Sequence, residues 1–239
     1  MDTPHFLVTA GTTREPIDEV RVWSNVFTGK TGLDIALALL DIGAVTLLTS
    51  NQRHFEMYDG YSGKGGMLGV EVFSRHADLK QLLGERMTFP TDGVFMTAAV
   101  SDYTPDGVYR IVDRKTEGSR EVWVVENVQE AKVKSSHGTI TVVGRTTEKL
   151  VDLFRGPWGF KGLLVKFKLQ AGMSEEELIK IATASRLSSG ADYIVANTLG
   201  MVEGAEAGAY IIGEKMCERV ERGKLAGRLR ELAAAVVAR

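Results

Sequence analysis

Short runs of apolar residues rich in β-branched side chains alternate along the chain with segments of helical periodicity. The runs predict strands at 6–9, 44–48, 70–73, 94–97, 163–167, 193–196 and 210–212. Apolar residues at helical spacing predict helices between them, as at Leu33, Leu37 and Leu40, at Leu79, Leu82 and Leu83, and at Leu178, Ile181 and Leu187. Because the strands are continuously apolar, they indicate a mostly parallel sheet buried on both faces. The expected fold is a Rossmann-like, doubly wound three-layer α/β/α domain.

Three stretches interrupt this rhythm. Residues 104–147 are charged and contain alternating segments at 122–125 and 139–143, which predicts a protruding antiparallel arm. Residues 51–69 are rich in Gly, Tyr and charge and are expected to form a mobile surface loop. Residues 215–239 carry Ala, Leu and Val at helical intervals, which predicts a C-terminal helix that buries Cys217. We expect one domain over 1–239.

Composition narrows the classes of protein. The chain has 239 residues, of which 44% are hydrophobic and 25% charged, so it is long enough for a core and unlike a disordered chain or a coiled coil. With 29 basic and 31 acidic residues, it lacks the positive excess of a general nucleic-acid or membrane-surface binder. One cysteine excludes an internal disulfide and favours a cytoplasmic location. The four histidines are scattered without ligand spacing, so we expect no metal site built by the protein.

The connection after the first strand is unusually long. It runs from Gly11 to the next helical segment near Lys30, whereas such connections usually have about two to six residues. Ligands bind beyond the carboxyl ends of parallel strands, where this loop must lie. The sequence at 28–32 superficially resembles a Walker loop, but Ser24 stands where that motif needs Gly, and no G-x-G-x-x-G follows the first strand. A glycine-lined helix N-terminus suited to phosphate remains.

Several motifs in order are more specific than any one of them. They are TAGTTREPID at 9–18, Arg21, Asn25 and TGK at 28–30, AAVSDY at 98–103, AKVKSS at 131–136, FKL at 167–169 and VAN at 195–197. Together they resemble phosphopantothenoylcysteine synthetase over nearly the whole chain. The resemblance implies a homodimeric ligase that joins 4'-phosphopantothenate to L-cysteine in coenzyme A biosynthesis. It would use a nucleoside triphosphate with Mg²⁺ and pass through an acyl-nucleotidylate.

The resemblance also implies roles for residues on the substrate side. Asn25, Ala98, Ala99 and Asp102 would hold the pantothenate portion and its activated carbonyl. The backbone amides of Ala98 and Ala99 would lie near the developing oxyanion, to which Asn25 could also donate. Arg21 would bind the substrate phosphate from the neighbouring subunit, because a guanidinium fork matches a pair of phosphate oxygens.

On the nucleotide side, the resemblance implies binding by Gly11, Thr12, Thr28, Gly29, Gly32, Phe167 and Asn197. Lys132 would be the catalytic lysine, neutralising phosphate charge during nucleotidyl transfer while the arm excludes water. The catalytic set is then Asn25, Lys132, Ala98 and Ala99. Taken singly, Asn25 and Asp102 also suit turns or helix caps, and Lys132 suits a solvated strand edge. Their shared order along the chain favours the functional interpretation.

Some positions depart from the family pattern and keep alternatives open. Thr12 puts a β-branched side chain where Gly is usual, and Phe27 replaces a small hydroxyl residue. Ser185 and Ser189 stand where CTP-using bifunctional members carry a basic pair, so we expect ATP in preference to CTP. A nucleotide-binding regulatory or scaffold protein that lost ligation is the main alternative. An oxidoreductase would need an acidic residue closing the second strand, where TSN stands at 49–51.

Overall fold

A computed structural model describes residues 3–202, 204 and 207–238. Its strands are β1 His5–Ala10, β2 Arg14–Pro16, β3 Val22–Ser24, β4 Ala44–Thr49, β5 Leu68–Val72, β6 Gly93–Met96, β7 Tyr103–Glu117, β8 Arg120–Asn127, β9 Ile140–Thr146, β10 Leu163–Gln170, β11 Tyr193–Thr198, β12 Gly208–Ile212 and β13 Cys217–Glu221. Its helices are α1 Lys30–Leu39, α2 Gln52–Tyr58, α3 His76–Arg86, α4 Leu150–Arg155, α5 Glu175–Ser189 and α6 Arg222–Val237. A 3₁₀ turn, Leu199–Met201, follows β11.

Eight strands form the central sheet in the order β13-β12-β11-β10-β6-β1-β4-β5. The six strands from β11 to β5 are parallel. Beyond β11, the hairpin of β12 and β13 extends the sheet with two antiparallel strands. Renumbered along the chain, the parallel strands follow the doubly wound order 3-2-1-4-5-6, whose direction reverses between β1 and β6. Ligands of such sheets bind at that reversal, beyond the carboxyl ends of the strands.

The helices cover both faces of the sheet, because β1, β6 and β10 present apolar side chains to each side. One face packs against α1 and α6 through a cluster that includes Phe6, Ile35 and Leu229. The other packs against α3 and α4 through a cluster that includes Leu79 and Phe154, and α5 continues this layer beside β11. The three-layer α/β/α fold expected from the sequence is therefore confirmed. Among the described residues, no helix is long and apolar enough to cross a bilayer.

The predicted antiparallel arm is also present. It is a three-stranded sheet in the order β8-β7-β9, and both outer strands pair with β7. A small hairpin of β2 and β3 lies against its base, where the ring of Trp23 stacks on that of Tyr103 with centroids 6.5 Å apart. The arm and this hairpin form a unit outside the three layers.

Two expectations from the sequence are wrong. The segment 51–69 contains α2, and three of its glycines, at 63, 65 and 66, pack against residues 40–44. Gly65 N donates to Leu40 O at 2.6 Å, and a Cβ at Gly63 would lie 2.5 Å from that of Leu40. The segment 215–239 is not one helix, because Cys217–Glu221 forms the edge strand β13 before α6 begins. Cys217 is exposed on that strand, not buried in a helix. The helix prediction failed here because the charged residues next to Cys217 suit the exposed face of a helix as well as an edge strand.

Candidate functional site

A pocket of about 320 Å³ opens at the reversal of strand order, between the carboxyl ends of the central strands and helices α1 and α6. This volume falls at the lower end of the range for small-molecule sites, about 300–1,000 Å³. The pocket is lined by eight residues that the sequence predicted for one site: Gly11, Thr28, Gly29, Gly32, Ala98, Ala99, Phe167 and Asn197. Residues far apart in sequence therefore converge where the fold places a ligand.

The glycines of the pocket allow α1 to begin directly against β1. Gly11 and Gly29 have φ of 84° and 85°, a conformation that other residues rarely adopt. A Cβ on Gly29 would lie 2.6 Å from Gly11 N, and one on Gly32 would lie 2.4 Å from Thr97 Oγ1. These glycines thus let two backbones meet. The N–H groups of the first turn of α1 precede its first internal bond, from Leu33 N to Gly29 O at 3.1 Å, and are available to an anion.

Polar side chains at the end of β4 hold the loop that enters the pocket. Ser50 Oγ accepts from Thr12 N at 2.8 Å, and Asn51 Nδ2 donates to Thr28 O at 3.1 Å. The Thr12 side chain is buried, and its hydroxyl donates to Ala99 O at 3.1 Å, so the β-branched residue is accommodated. Thr12 supports the pocket wall from behind. The sequence reasoning missed Ser50 and Asn51, whose only signal was their place after a buried strand.

Among the described residues around the pocket, basic side chains outnumber acidic ones. Lys30, Lys168 and Arg222 line it, and the one described carboxylate of the lining, Asp34, pairs with Lys30 at 2.8 Å. This charge favours an anionic ligand. Arg222, at the start of α6, was not predicted, since an arginine before a helix is common on surfaces. In the described part of the chain, no three His, Cys, Asp or Glu side chains are grouped to hold a metal ion.

The Phe167 side chain lies on the pocket side of β10, whereas that of Lys166 lies on the other face, against α5. Phe27, which replaces a small hydroxyl residue of the motif, also lines the pocket. Lys166 is buried, and its ammonium donates to Ser185 Oγ at 3.0 Å and to Ser189 Oγ at 3.1 Å. Burial lowers the pKa of Lys166. The side chains of Ser185 and Ser189 therefore accept bonds from a lysine on β10.

The backbone amides of Ala98 and Ala99 are not free to stabilise an oxyanion. Ala98 N donates to Thr9 Oγ1 at 3.0 Å, and Ala99 N donates to Gly11 O at 2.8 Å. The expected oxyanion role of these two amides is wrong for this conformation, because each N–H already has a protein acceptor. Asn25 Nδ2 lies 3.3 Å from Ala99 O, a long and weak bond. The Asn25 amide is thus the donor of this set that can turn to a substrate oxygen.

The remaining predicted residues lie outside the pocket wall. Asp102 is exposed, and its carbonyl accepts from Thr147 N at 3.0 Å at the base of the arm. Lys132 is exposed and has no ion-pair partner within the described residues, whereas Lys134 pairs with Glu130 at 3.2 Å. Arg21 donates from Nε and Nη2 to Asp18 Oδ2, at 2.9 and 2.5 Å. Binding of the substrate phosphate by Arg21 of the neighbouring subunit stays a prediction.

The fold and the pocket together define a doubly wound α/β protein with a pocket lined by basic side chains at the reversal of its sheet. Within that class, the chain belongs to the family of the DNA/pantothenate metabolism flavoprotein C-terminal domain, whose model matches residues 1–231. The resemblance drawn from the motifs is therefore confirmed at the level of the family.

Curated relatives of the chain act in coenzyme A biosynthesis. The coenzyme A biosynthesis bifunctional protein CoaBC of Thermococcus kodakarensis is 31% identical over 225 residues, which cover 93% of this chain and 48% of that protein. The CoaBC protein of Bacillus subtilis is 34% identical over 118 residues, 49% of this chain and 27% of that protein. The chain thus spans about half the length of the Thermococcus protein, and its match to the Bacillus protein covers a smaller share of that protein.

Solved structures share the fold. The DNA/pantothenate metabolism flavoprotein from Streptococcus pneumoniae superposes with a TM-score of 0.76 at 24% identity, covering 98% of this chain and 99% of that one. A mutant of Cab2 in complex with phosphopantothenate-cysteine superposes with a TM-score of 0.68 at 16% identity, covering 99% of this chain and 88% of that one. At these identities the likeness concerns the fold.

Proposed function

We propose that this protein is a phosphopantothenate-cysteine ligase that activates its acyl substrate with a nucleoside triphosphate. The observation that carries the proposal is the convergence of eight sequence-predicted residues on one pocket with an excess of positive charge. Membership of the family and the coenzyme A context of the curated relatives support it. A carboxylate is a poor electrophile, so amide formation requires this activation.

The proposed reaction has two steps. The carboxylate of 4'-phosphopantothenate attacks the α-phosphorus, the bond between the α- and β-phosphates breaks, and pyrophosphate leaves. The amine of L-cysteine then attacks the acyl carbon, the bond to the nucleotide oxygen breaks, and the nucleoside monophosphate leaves while the amine loses a proton. Negative charge moves between phosphate oxygens in the first step and collects on the acyl oxygen in the second.

The residues of this chain divide that work by position. The N–H groups at the start of α1, with Lys30, Lys168 and Arg222, would hold the triphosphate in the pocket. The Lys132 ammonium would neutralise charge during nucleotidyl transfer, and the Asn25 amide would donate to the acyl oxygen in the second step. Removing one such electrostatic contact from an enzyme costs about 10²–10³-fold in rate.

Mg²⁺ would enter with the nucleotide. In the described part of the pocket lining, Asp34 is the one carboxylate and is already paired with Lys30, so phosphate oxygens are the better ligands for the ion. Bound there, Mg²⁺ would neutralise part of the triphosphate charge. We further propose ATP as the preferred nucleotide, because the serines in place of the basic pair bond to Lys166 on the face of β10 away from Phe167.

The test is a ligation assay with each nucleotide in turn. Purified protein is incubated with 4'-phosphopantothenate, L-cysteine and Mg²⁺, with ATP or CTP in separate reactions, and pyrophosphate and coupled product are quantified. The proposal predicts equal amounts of pyrophosphate and coupled product, and more of each with ATP than with CTP. Nucleotide binding without pyrophosphate or product would contradict ligation and favour the regulatory or scaffold alternative. The homodimer and the cytoplasmic location expected from the sequence stay predictions.

A further inference from the structure

We propose that Asp18 is a positioning residue that fixes the segment carrying Lys132, so that one buried carboxylate determines where the catalytic lysine stands. The proposal rests on the proposed function for its kinetic consequence. Its structural part depends only on contacts between residues 17–21, the turn that joins β2 to β3, and residues 129–133, which follow β8. We call these two segments together the clasp.

The turn is closed first by its own hydrogen bonds. Asp18 Oδ1 accepts from Val20 N at 2.9 Å and from Arg21 N at 2.7 Å, and Ile17 N donates to Arg21 O at 2.8 Å. The first two of these bonds use one oxygen of the Asp18 side chain. The second oxygen accepts from the Arg21 side chain and from the arm.

The second oxygen joins the turn to the arm. Asp18 Oδ2 accepts from Val133 N at 3.1 Å as well as from the Arg21 guanidinium, and Arg21 Nη2 donates in turn to Val133 O at 2.6 Å. Glu19 N donates to Ala131 O at 2.9 Å, and Gln129 Nε2 donates to Ile17 O at 3.0 Å. Lys132 therefore lies between two residues whose backbone is bonded to the turn.

Burial makes the Asp18 carboxylate effective in this place. The Asp18 side chain has no exposed surface, and the Val133 side chain beside it is buried. Burial raises the pKa of Asp18, but the hydrogen bonds from Arg21 and from the N–H groups of Val20, Arg21 and Val133 outweigh it and hold the pKa well below its usual range. Asp18 is thus ionised at neutral pH, and its bonds to Arg21 are charge-assisted.

The consequence for Lys132 follows from the geometry. A lysine on a free ribbon samples many positions, whereas an error of about 1 Å in a catalytic group can cost about 10²-fold in rate. The backbone after Lys132 is bonded to Asp18 itself, and the backbone before it is bonded to Glu19 N of the turn that Asp18 closes. The Lys132 side chain stays exposed and unpaired within the described residues. The clasp thus holds the backbone where residues 129–133 lie outside the paired strands of the arm.

Asp18→Asn separates the two functions of the carboxylate. An asparagine oxygen can keep the bonds from Val20 N and Arg21 N, but its NH₂ group would face three donors where Oδ2 stood. The turn should remain, while the link to the arm should break at Val133, because Val133 N loses its acceptor and the guanidinium that bonds to Val133 O loses its ion pair. Glu19→Gln is the matched control, since it removes one negative charge from an exposed side chain of the same turn.

The first measurement is amide hydrogen exchange of residues 129–134, read by mass spectrometry, which requires no activity. Asp18→Asn should accelerate exchange in this segment by at least about tenfold, because local opening sets its protection, and Glu19→Gln should not. Unchanged exchange in Asp18→Asn would show that the carboxylate does not hold the segment. That result would overturn the proposal whatever the reaction.

The second measurement is a double-mutant cycle on phosphopantothenate-dependent pyrophosphate release without cysteine. Asp18→Asn should slow this step about 10- to 100-fold while the Kd for the nucleotide changes less than about twofold. Asp18→Asn combined with Lys132→Ala should be no slower than Lys132→Ala alone. Additive losses would overturn the proposal, because they would mean that Asp18 acts independently of Lys132. Absence of ligation by the unmodified protein would instead overturn the proposed function. The clasp would then be tested by the hydrogen-exchange measurement alone.

Discussion

The pocket and the clasp are supported in different ways. The pocket is walled by strand ends of the central sheet and by glycines whose backbones touch, so its shape is set by the packing of the domain core. The clasp joins residues 115 positions apart in sequence through hydrogen bonds to one carboxylate. Close packing is rigid and tolerates little change, whereas a side-chain link can be removed by one substitution. In our account, nucleotide binding and nucleotidyl transfer therefore depend on separate parts of the molecule.

The largest effect should come from removing the lysine. Lys132→Ala should lower the rate of nucleotidyl transfer about 10²–10³-fold, because it deletes the cation that neutralises the reacting phosphates. Nucleotide affinity should change little, since Lys132 lies outside the pocket lining. Steady-state kinetics and titration calorimetry measure the two quantities.

Lys134→Ala is the control for that comparison. Lys134 is two residues away on the same segment and forms an exposed pair with Glu130, the kind of pair that contributes about 1 kcal/mol or less. Its removal should leave both rate and stability nearly unchanged. Equal losses in the two variants would indicate a general effect of charge on the arm.

The pocket wall should respond to an added methyl group. Gly29→Ala should lower the free energy of unfolding by about 3 kcal/mol or more, because it combines a positive φ with a Cβ 2.6 Å from Gly11 N. Nucleotide binding should weaken as the start of α1 moves. Chemical denaturation and calorimetry report the two effects.

Gly118→Ala separates backbone strain from the clash. Gly118 also has a positive φ, 61°, in the turn between β7 and β8, but a Cβ there meets nothing within 4 Å. It should cost only about 1–2 kcal/mol and leave nucleotide binding intact. If both variants lost the same stability, the close approach of Gly29 to Gly11 would not be a structural requirement.

A smaller effect should appear in the pH dependence of stability. Because the folded pKa of Asp18 is lowered, its contribution to stability is present above the unfolded value near 4 and is lost as pH falls towards the folded value. The free-energy difference between the unmodified protein and Asp18→Asn should therefore be constant from pH 5 to 8 and shrink below about pH 4. Urea denaturation at several pH values measures it, and a difference that grew on acidification would contradict this sign.

The smallest effect should come from Lys166. Replacing a buried charge by an apolar side chain of similar length is often neutral or stabilising, so Lys166→Met should change stability by about 1 kcal/mol or less. Burial lowers the pKa of Lys166, so this residue makes stability rise as pH rises from its folded value towards 10.5, and Lys166→Met should remove that rise. Activity should be retained, since the Lys166 ammonium bonds to α5 on the face away from Phe167. A large loss of activity would connect this lysine to the pocket.

Much of the fold could be predicted because the parallel strands are continuously apolar. The seven predicted strands, the arm and the helices that contain Leu79 and Leu178 are all present. The errors fell where two structures share one pattern. Cys217–Glu221 alternates weakly at a sheet edge among charges that also suit a helix. The segment 51–69 contains the short helix α2 followed by glycines, three of which pack against residues 40–44.

The site was predictable to the extent that motifs carry it. Gly11, Gly29, Phe167 and Asn197 meet in one pocket, as the resemblance implied. Hydrogen-bond partners were not predictable, because they depend on three-dimensional register. The amides of Ala98 and Ala99 proved to be occupied, and Asp18 lies within a recognised motif without any local sign that it bonds to Val133.

The central claim is that this chain ligates its acyl substrate through an acyl-nucleotidylate, and an isotope measurement tests it most directly. 4'-Phosphopantothenate labelled with ¹⁸O in its carboxylate is incubated with L-cysteine, Mg²⁺ and the nucleotide, and the products are examined by mass spectrometry. The account predicts coupled product with one ¹⁸O transferred to the nucleoside monophosphate and none to pyrophosphate. Label in inorganic phosphate, or no coupled product with either nucleotide, would contradict it.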